Sequence, residues 1–464
     1  MKTTIVWFRN DLRIHDHPAL AKAIAESDAV IPLFIIDDAL MNGEAKGSNR
    51  NRFLIESLAD LRQSLQAIGG DLVIRHGNAV EALQTLVSEQ HVDAIYYTAD
   101  YTPYSIKRDR TIESAFKDSD TTIRGFAGRL IVSSIDKLNT KSGTPHKVFT
   151  PFWRNWQTIQ RRAIAQKPSS IQLPSSIATG ELPKMNDVTN DRDLSCTVLH
   201  GGEAAGRKRL HDFLKNDIKQ YHDNSNDMAA DATSRLSAYL HFGCISPREI
   251  ETMLPDNKGA ASWHRQLCWR DFYHYVLFHH PQKNQEFQER YREMEWGNDR
   301  TLLEAWQQGK TGYPVVDAAM RQLNQEGWMH NRARLIVGSF LVKDLWIDWR
   351  LGEAYFMKML IDGDTANNNG NWQWIASVGV DPAPVFRRLY NPSSQAKNYD
   401  PNGEYVYRYV PELKGVPLKY LAEPWTMTTD QQQEYNCVMG KDYPAPIVDH
   451  KQARVAALER YRQV

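Results

Sequence analysis

TTIVWFRNDLRIHDHPALAKAIAESDAVIPLFIID, residues 3–37, sets the fold class of the N-terminal third. Two apolar runs, TTIVWFR and AVIPLFIID, flank HPALAKAIAES, whose Pro18 suits the first turn of a helix. Neither run alternates polar with apolar residues, as expected of strands covered on both faces. The unit then repeats. NRFLIESLADLRQSLQAIGG is an amphipathic helix stopped by Gly69-Gly70, DLVIRHG a strand, NAVEALQTLVSEQ a helix, DAIYYTAD a strand, and SIKRDRTIESAFK a polar helix. The order β-α-β-α predicts a doubly wound parallel sheet over residues 1–130. No GxGxxG follows the first strand, so a standard dinucleotide fingerprint is not supported there.

Residues 131–205 read as a long connection, rich in Ser and Pro between 167 and 193, with an aromatic island HKVFTPFWRNWQ at 146–157 that packs against a domain. From 206 to 464 the pattern is helical, punctuated by Gly243, Pro281, Gly312 and Gly327. An α/β domain joined to an all-α domain is therefore the expected architecture.

The 464 residues are 42% hydrophobic and 24% charged, with Lys+Arg and Asp+Glu both at 56. That is ordinary for a globular chain, and a net charge of zero leaves only a local basic patch for any nucleic acid. The four cysteines form no CxxC and no Cys/His cluster, which argues against zinc, iron–sulfur and a disulfide framework. No signal peptide and no membrane-length apolar stretch is evident, and a cytoplasmic protein is expected. Ten of the 13 tryptophans follow residue 260. They fit either a large core or a surface that stacks on a planar ligand.

Four segments carry polar groups suited to chemistry. DGDTANNNGNWQW (362–374) sets Asp362 and Asp364 before three asparagines and the Trp372/Trp374 pair; capping a helix is one reading, reading a ring nitrogen another. ATSRLS (232–237) offers hydroxyls and one guanidinium at the start of a predicted helix, fit for a phosphate or for plain capping. WHRQLCWRDFY (263–273) projects Gln266 and Arg270 from one helix face, flanked by Trp263 and Trp269. NRARLIVGSF (331–340) places Arg332 and Arg334 in an apolar helix, where they serve a ligand or an interhelical polar network.

Together with VWFRNDLRIHDHPAL (6–20), VFTPFW (148–153), the run at 306–349 and YVPELKGVP (409–417), these blocks resemble the photolyase/cryptochrome family over nearly the whole chain. They are most similar to class I cyclobutane pyrimidine dimer photolyases. The resemblance implies an N-terminal antenna domain and a helical domain holding FAD, active when reduced and anionic. It implies that an electron passes from the excited reduced flavin to a flipped-out dimer, splits the ring and returns. By the same resemblance Tyr221, Thr233, Ser234, Arg235, Leu236 and Ser237 hold the FAD phosphates and ribityl chain. Arg334 pairs with Asp362 beside the flavin, Asp364 meets the flavin or ribose, and Asn368 faces N5. Trp263, Gln266, Arg270, Asn331 and Gly363 complete the cofactor set. Trp372, Trp349 and Trp296 match the family's electron-transfer chain. Trp269, Trp374, Gln266 and Leu335 address the lesion, and Arg332 and Arg387 the DNA phosphates.

The sequence departs from the family in two places. Gln266 stands where many relatives carry Glu; an amide both donates and accepts without a proton to lose. Gln also occurs there in photolyases for the 6–4 photoproduct, but those place two His where this chain has Asn331 and Leu335. Tyr104-Ser105 replaces the Asn-Glu pair of folate-binding relatives, which leaves a deazaflavin, another flavin, folate or an empty pocket for the antenna. Asn368, where plant cryptochromes carry Asp and animal ones Cys, and the lack of a long polar tail before Val464 favour repair over signalling. The partner implied is UV-damaged DNA, with the protein acting as a monomer and no metal bound.

Overall fold

The computed structural model describes residues 2–37, 49–184 and 199–464. Residues 185–193 of the Ser/Pro-rich stretch, and Cys196, lie outside them.

Five parallel strands form the N-terminal sheet in the order β3-β2-β1-β4-β5, with β1 Thr3–Phe8, β2 Ala29–Ile36, β3 Val73–His76, β4 Ala94–Thr98 and β5 Thr122–Phe126. Strands β1 and β2 are buried at every position, which is why their sequences do not alternate. Helices α1 (Pro18–Glu26), α2 (Asn49–Gln66), α3 (Ala79–Gln90) and α4 (Pro103–Ala115) make the crossovers. Strand β5 has no counterpart in the sequence reading. Among the described residues it pairs only with β4, and it leaves most of TIRGF facing solvent, so it lacks the apolar run that marks the other four.

The strand order reverses between β1 and β4, where doubly wound sheets open a ligand crevice. Here Arg9 occupies that place. Its guanidinium donates to the Thr98 carbonyl and to Asp109, and it lies over the rings of Trp7 and Tyr97.

After β5 the chain does not run over the surface at once. Ile131, Val132, Ile135 and Leu138 are buried, and helix α5 (Phe149–Thr158) adds Phe149, Phe152 and Trp156 to the same core. Residues 171–180 then return along the sheet, accepting at Gln172 O from Val30 N and at Thr179 O from Ile74 N.

The helical half starts with α6 (Glu203–Asn216). Its site-forming helices are α7 (Ser237–His241), α8 (Lys258–His279), α9 (Arg300–Gln308), α10 (Pro314–Glu326), α11 (Asn331–Ser339), α12 (Trp349–Met359), α13 (Thr365–Ile375) and the terminal α14 (His450–Arg462). Two sequence expectations change. The helix expected over SRLSAYLHFG is only α7, because Arg235 turns into the left-handed region at φ +50°. The long helix expected over NRARLIVGSFLVKDL widens into a π-turn at Phe340–Asp344, where the buried Lys343 ammonium reaches Ser377 Oγ and the Arg388 carbonyl. Among the described residues, no helix is long and apolar enough to cross a membrane, and Cys244, Cys268 and Cys437 are buried free thiols.

The loop between β1 and α1 clamps the two halves together. Arg13, 1% exposed, donates to the carbonyls of Gly243, Asp16 and Gly128. Glu203 of α6 accepts from the amides of Ile14 and His15. Gly243 has φ +64°, and a Cβ there would stand 2.1 Å from the Asn10 carbonyl, so no other residue fits this approach.

Candidate functional site

Helices α7, α8, α11, α12 and α13 surround a cavity of about 550 Å³, within the range of cofactor sites. Its lining includes Tyr221, Thr233, Ser234, Arg235, Leu236, Ser237, Trp263, Gln266, Arg270, Asn331, Arg334, Asp362, Gly363, Asp364 and Asn368. Trp269, Leu335, Trp372 and Trp374 line it too. Residues spread over some 150 positions thus converge on one space.

Helix α8 serves two structures at once. Its Arg270 faces the cavity and donates to the backbone carbonyls of Arg129 and Leu240; burial draws its pKa down to about 10. The next residue, Asp271, points away and accepts from Trp156 Nε1 and the amides of Ile131 and Val132, with burial pushing its carboxyl up to about 6. Trp263 donates from Nε1 to Ser234 Oγ at 3.3 Å, tying α8 to the TSRLS turn. Gln266 is exposed at the mouth. Beside it the Phe149 ring stacks on Trp269 with centroids 3.7 Å apart and planes 4° from parallel, so Trp269 is braced from behind.

At the base, Arg334 donates to both oxygens of Asp362 at 3.1 and 2.8 Å and to the Met329 carbonyl. Asp364 caps α13 by accepting from the Asn367 amide. It also accepts from Arg129 Nη2 at 3.1 Å, with His241 Nδ1 at 3.4 Å and His274 Nε2 at 3.5 Å. Burial works against its charge, yet His274, His241 and Arg129 hold its pKa well below the carboxylate range. Capping and ligand reading are therefore not alternatives for this segment: Asp364 does the first while lining the cavity. Asn368, 8% exposed, donates from Nδ2 to the Glu353 carbonyl.

Of the three arginines expected at phosphates, Arg235 and Arg332 are otherwise engaged and Arg387 stands apart from the cavity. Arg235 lines the cavity, but its guanidinium pairs with Asp231 and Glu326 and lies 4.1 Å over Trp328. Arg332 is held by Asn226 Oδ1 and stacks 4.2 Å over Tyr399. Arg387 is exposed on the turn Val385–Arg388, outside the cavity lining, while its neighbour Arg388 lies over Trp374. The predicted helix-start phosphate cradle is also weaker than its residues suggest, since α7 has no side-chain cap and five residues only.

The three tryptophans differ in exposure. Trp372 forms the cavity wall at 3% exposure, Trp349 is fully buried, and Trp296 is half-buried. Trp372 reaches its place because Gly352 of α12 has no side chain: a Cβ would meet its ring at 2.2 Å. Sequence reasoning missed Arg129, His241 and His274, which bear no motif and meet Asp364 only through tertiary packing. It also missed Phe149 as a support, although the aromatic island contained it.

The site carries a pH signature. Burial lowers the pKa of both His274 and His330 to about 4, so both are neutral at pH 7. The unfolded chain takes up these protons near pH 6.5 and the folded one only near 4. Stability therefore falls as pH drops through that window, by about 1.4 kcal/mol per unit for each histidine. A melting series from pH 7 to 4 is expected to show this, with a shallower slope in His274→Gln; equal slopes would refute the assignment.

The cavity fits FAD. Its aromatic wall suits a planar ring, the amides and the Arg334–Asp362 pair suit ring edges, and Thr233 Oγ1 in its lining is a buried hydroxyl oxygen with no hydrogen-bond partner among the described residues. Comparison with known proteins agrees. Residues 4–170 match the DNA photolyase family model and residues 263–463 the FAD binding domain of DNA photolyase. A deoxyribodipyrimidine photo-lyase of Streptomyces griseus is 38% identical over 100% of this chain and 99% of its own length. A bacterial class III photolyase from Agrobacterium tumefaciens superposes with a TM-score of 0.92 at 36% identity, covering 100% of this chain and 98% of that one. A Synechocystis cryptochrome does so at 0.91 and 30%, covering 100% and 99%. With both halves matched by family models and a full-length relative at this identity, the chain belongs to the photolyase/cryptochrome family.

Proposed function

We infer that this protein is a light-driven deoxyribodipyrimidine photo-lyase that repairs cyclobutane pyrimidine dimers in UV-damaged DNA. The observation that carries the reading is one cavity that joins the buried Asn368 and Asp362, with Arg334, to the exposed Gln266 and the half-buried Trp269 and Trp374. Reduced FAD supplies the light absorption and the electron. The chain's residues do the rest. Arg334 and Asp362 orient the ring edge, and Asn368 presents an amide to N5. Trp372 closes one side against water. At the rim Trp269, stiffened by Phe149, and Trp374, under Arg388, offer two aromatic surfaces to a flipped-out pyrimidine pair. Gln266 hydrogen-bonds the base edges, and Leu335 packs beside them. Extrusion favours a damaged pair because its stacking is already poor. Arg387 meets the DNA phosphates from its exposed turn; Arg332 does so only after leaving Asn226. Trp372, Trp349 and Trp296 carry electrons inward when FAD is oxidised. The protein works as a monomer in the cytoplasm.

The test is direct. Protein with reduced FAD is expected to remove dimers from UV-irradiated DNA under blue light and not in the dark. FAD-loaded protein that removes none under light would leave the light-receptor reading, which the cryptochrome neighbour represents.

A further inference from the structure

Glu286 lies just after α8, 2% exposed, and no feature of the cavity explains it. Its Oε1 accepts from the indole Nε1 of Trp349 and from the indole Nε1 of Trp296, each at 3.2 Å. One buried carboxylate oxygen therefore joins the second and third tryptophans of the proposed electron path. Arg350 donates to both of its oxygens at 2.7 Å, and its guanidinium also lies 4.8 Å over the Trp349 ring. Asp348 shares that arginine at 3.1 Å. The Trp296 ring has a different cover: Trp346 stacks on it at 5.0 Å, and Tyr461 meets it edge-on at 6.3 Å. Arg460 lies over Trp346, the ring on the far side of that stack.

These fields act unequally. A cation over an indole face disfavours a positive charge on that ring, whereas a carboxylate on the indole N–H favours one. Trp349 has both; Trp296 has the carboxylate and a neutral face. We propose that Glu286, oriented by Arg350, directs the oxidised site from Trp349 to Trp296 and accepts the Trp296 Nε1 proton, which holds it there. The proposal rests on reading Trp372, Trp349 and Trp296 as an electron path.

The step balances. Bound FAD, oxidised and photoexcited, would supply the one-electron oxidant, and Trp372 and Trp349 would relay the electron to it. Trp296 gives one electron to oxidised Trp349 and becomes a cation radical. Its Nε1–H bond breaks, an O–H bond forms on Glu286 Oε1, and a neutral indolyl radical remains. Arg350 keeps its charge and its contact with Asp348. Glu286 touches neither cofactor nor lesion; it acts through the two tryptophans, in photoreduction and not in repair.

Transient absorption of the FAD-loaded, oxidised protein tests this by separating cationic from neutral tryptophan radicals. In Glu286→Gln the amide oxygen still accepts from the indoles but has neither charge nor basicity. Conversion of the cation to the neutral radical is expected to slow about tenfold, the scale of a lost charge-assisted hydrogen bond. The yield of photoreduced FAD falls with it. In the native protein the conversion rate is expected to be independent of buffer concentration and slower in D2O, a readout that needs no variant. A native rate that rises with buffer base, or a Glu286→Gln rate equal to native, overturns the proposal. Trp372→Phe separates the two levels. If it leaves photoreduction untouched, the electron path itself falls; if it blocks photoreduction while Glu286→Gln changes nothing, only the role of Glu286 falls.

Discussion

Trp372→Phe is expected to cut the photoreduction of oxidised FAD by about a hundredfold, equivalent to about 2.7 kcal/mol on the barrier. The residue has one ring edge on the cavity and the other against α12. The Phe356 ring meets it edge-on at 5.0 Å and Trp306 at 6.3 Å. Phenylalanine keeps much of that packing but is far harder to oxidise than indole, so the change removes the proposed first electron donor while sparing the wall. Repair by protein reduced chemically beforehand is expected to fall much less, because that route bypasses the tryptophans. Illumination of the two proteins with an external thiol donor, followed by loss of the oxidised flavin band, measures the first quantity. Equal rates would remove Trp372 from the path. Residual reduction through Trp306, buried beside it, would appear as a slow phase.

Asp362→Ala is expected to lose FAD during purification and to unfold at lower temperature. Asp362 is 9% exposed and receives two hydrogen bonds from one Arg334 nitrogen. Its removal strands the guanidinium in a half-closed cavity, and breaking such a pair costs about 3–5 kcal/mol where burial is complete. Arg334 keeps its bond to the Met329 carbonyl and some solvent, so about 2–3 kcal/mol is the expected loss here. The ratio of flavin to protein absorbance and the melting midpoint report the two effects separately. A variant with full FAD content would show that Arg334 and Asp362 serve packing and not the cofactor. Asp362→Asn, which retains one acceptor, is expected to fall between the two.

What the sequence made legible followed from periodicity and from local motif. Strands β1 to β4 declared themselves as apolar runs, and the cavity lining collected every residue expected to hold the cofactor. Strand β5 was hidden because an edge strand with one neighbour carries little apolar signal. The Arg235 turn was hidden because a left-handed residue that is not glycine leaves no trace in composition. The arginines were the least legible. A guanidinium reads the same in sequence whether it faces a ligand, a neighbouring acid or an amide, and only packing assigned Arg235 to Glu326 and Arg332 to Asn226. The same limit applies to Asp364, whose partners Arg129, His241 and His274 come from three separate parts of the chain.

Arg129 leaves the sheet domain at its last residues, yet its guanidinium grips the carboxylate that starts α13 and the carbonyls at the end of α7. The sheet domain is thus not an interchangeable attachment. A hybrid that grafts another protein's N-terminal half onto this helical half would import a different sheet, and would also decide whether α13 begins in register. Such hybrids should divide by a single criterion: those supplying an arginine at this place retain the flavin, and those lacking it lose the flavin even when their own sheet folds well.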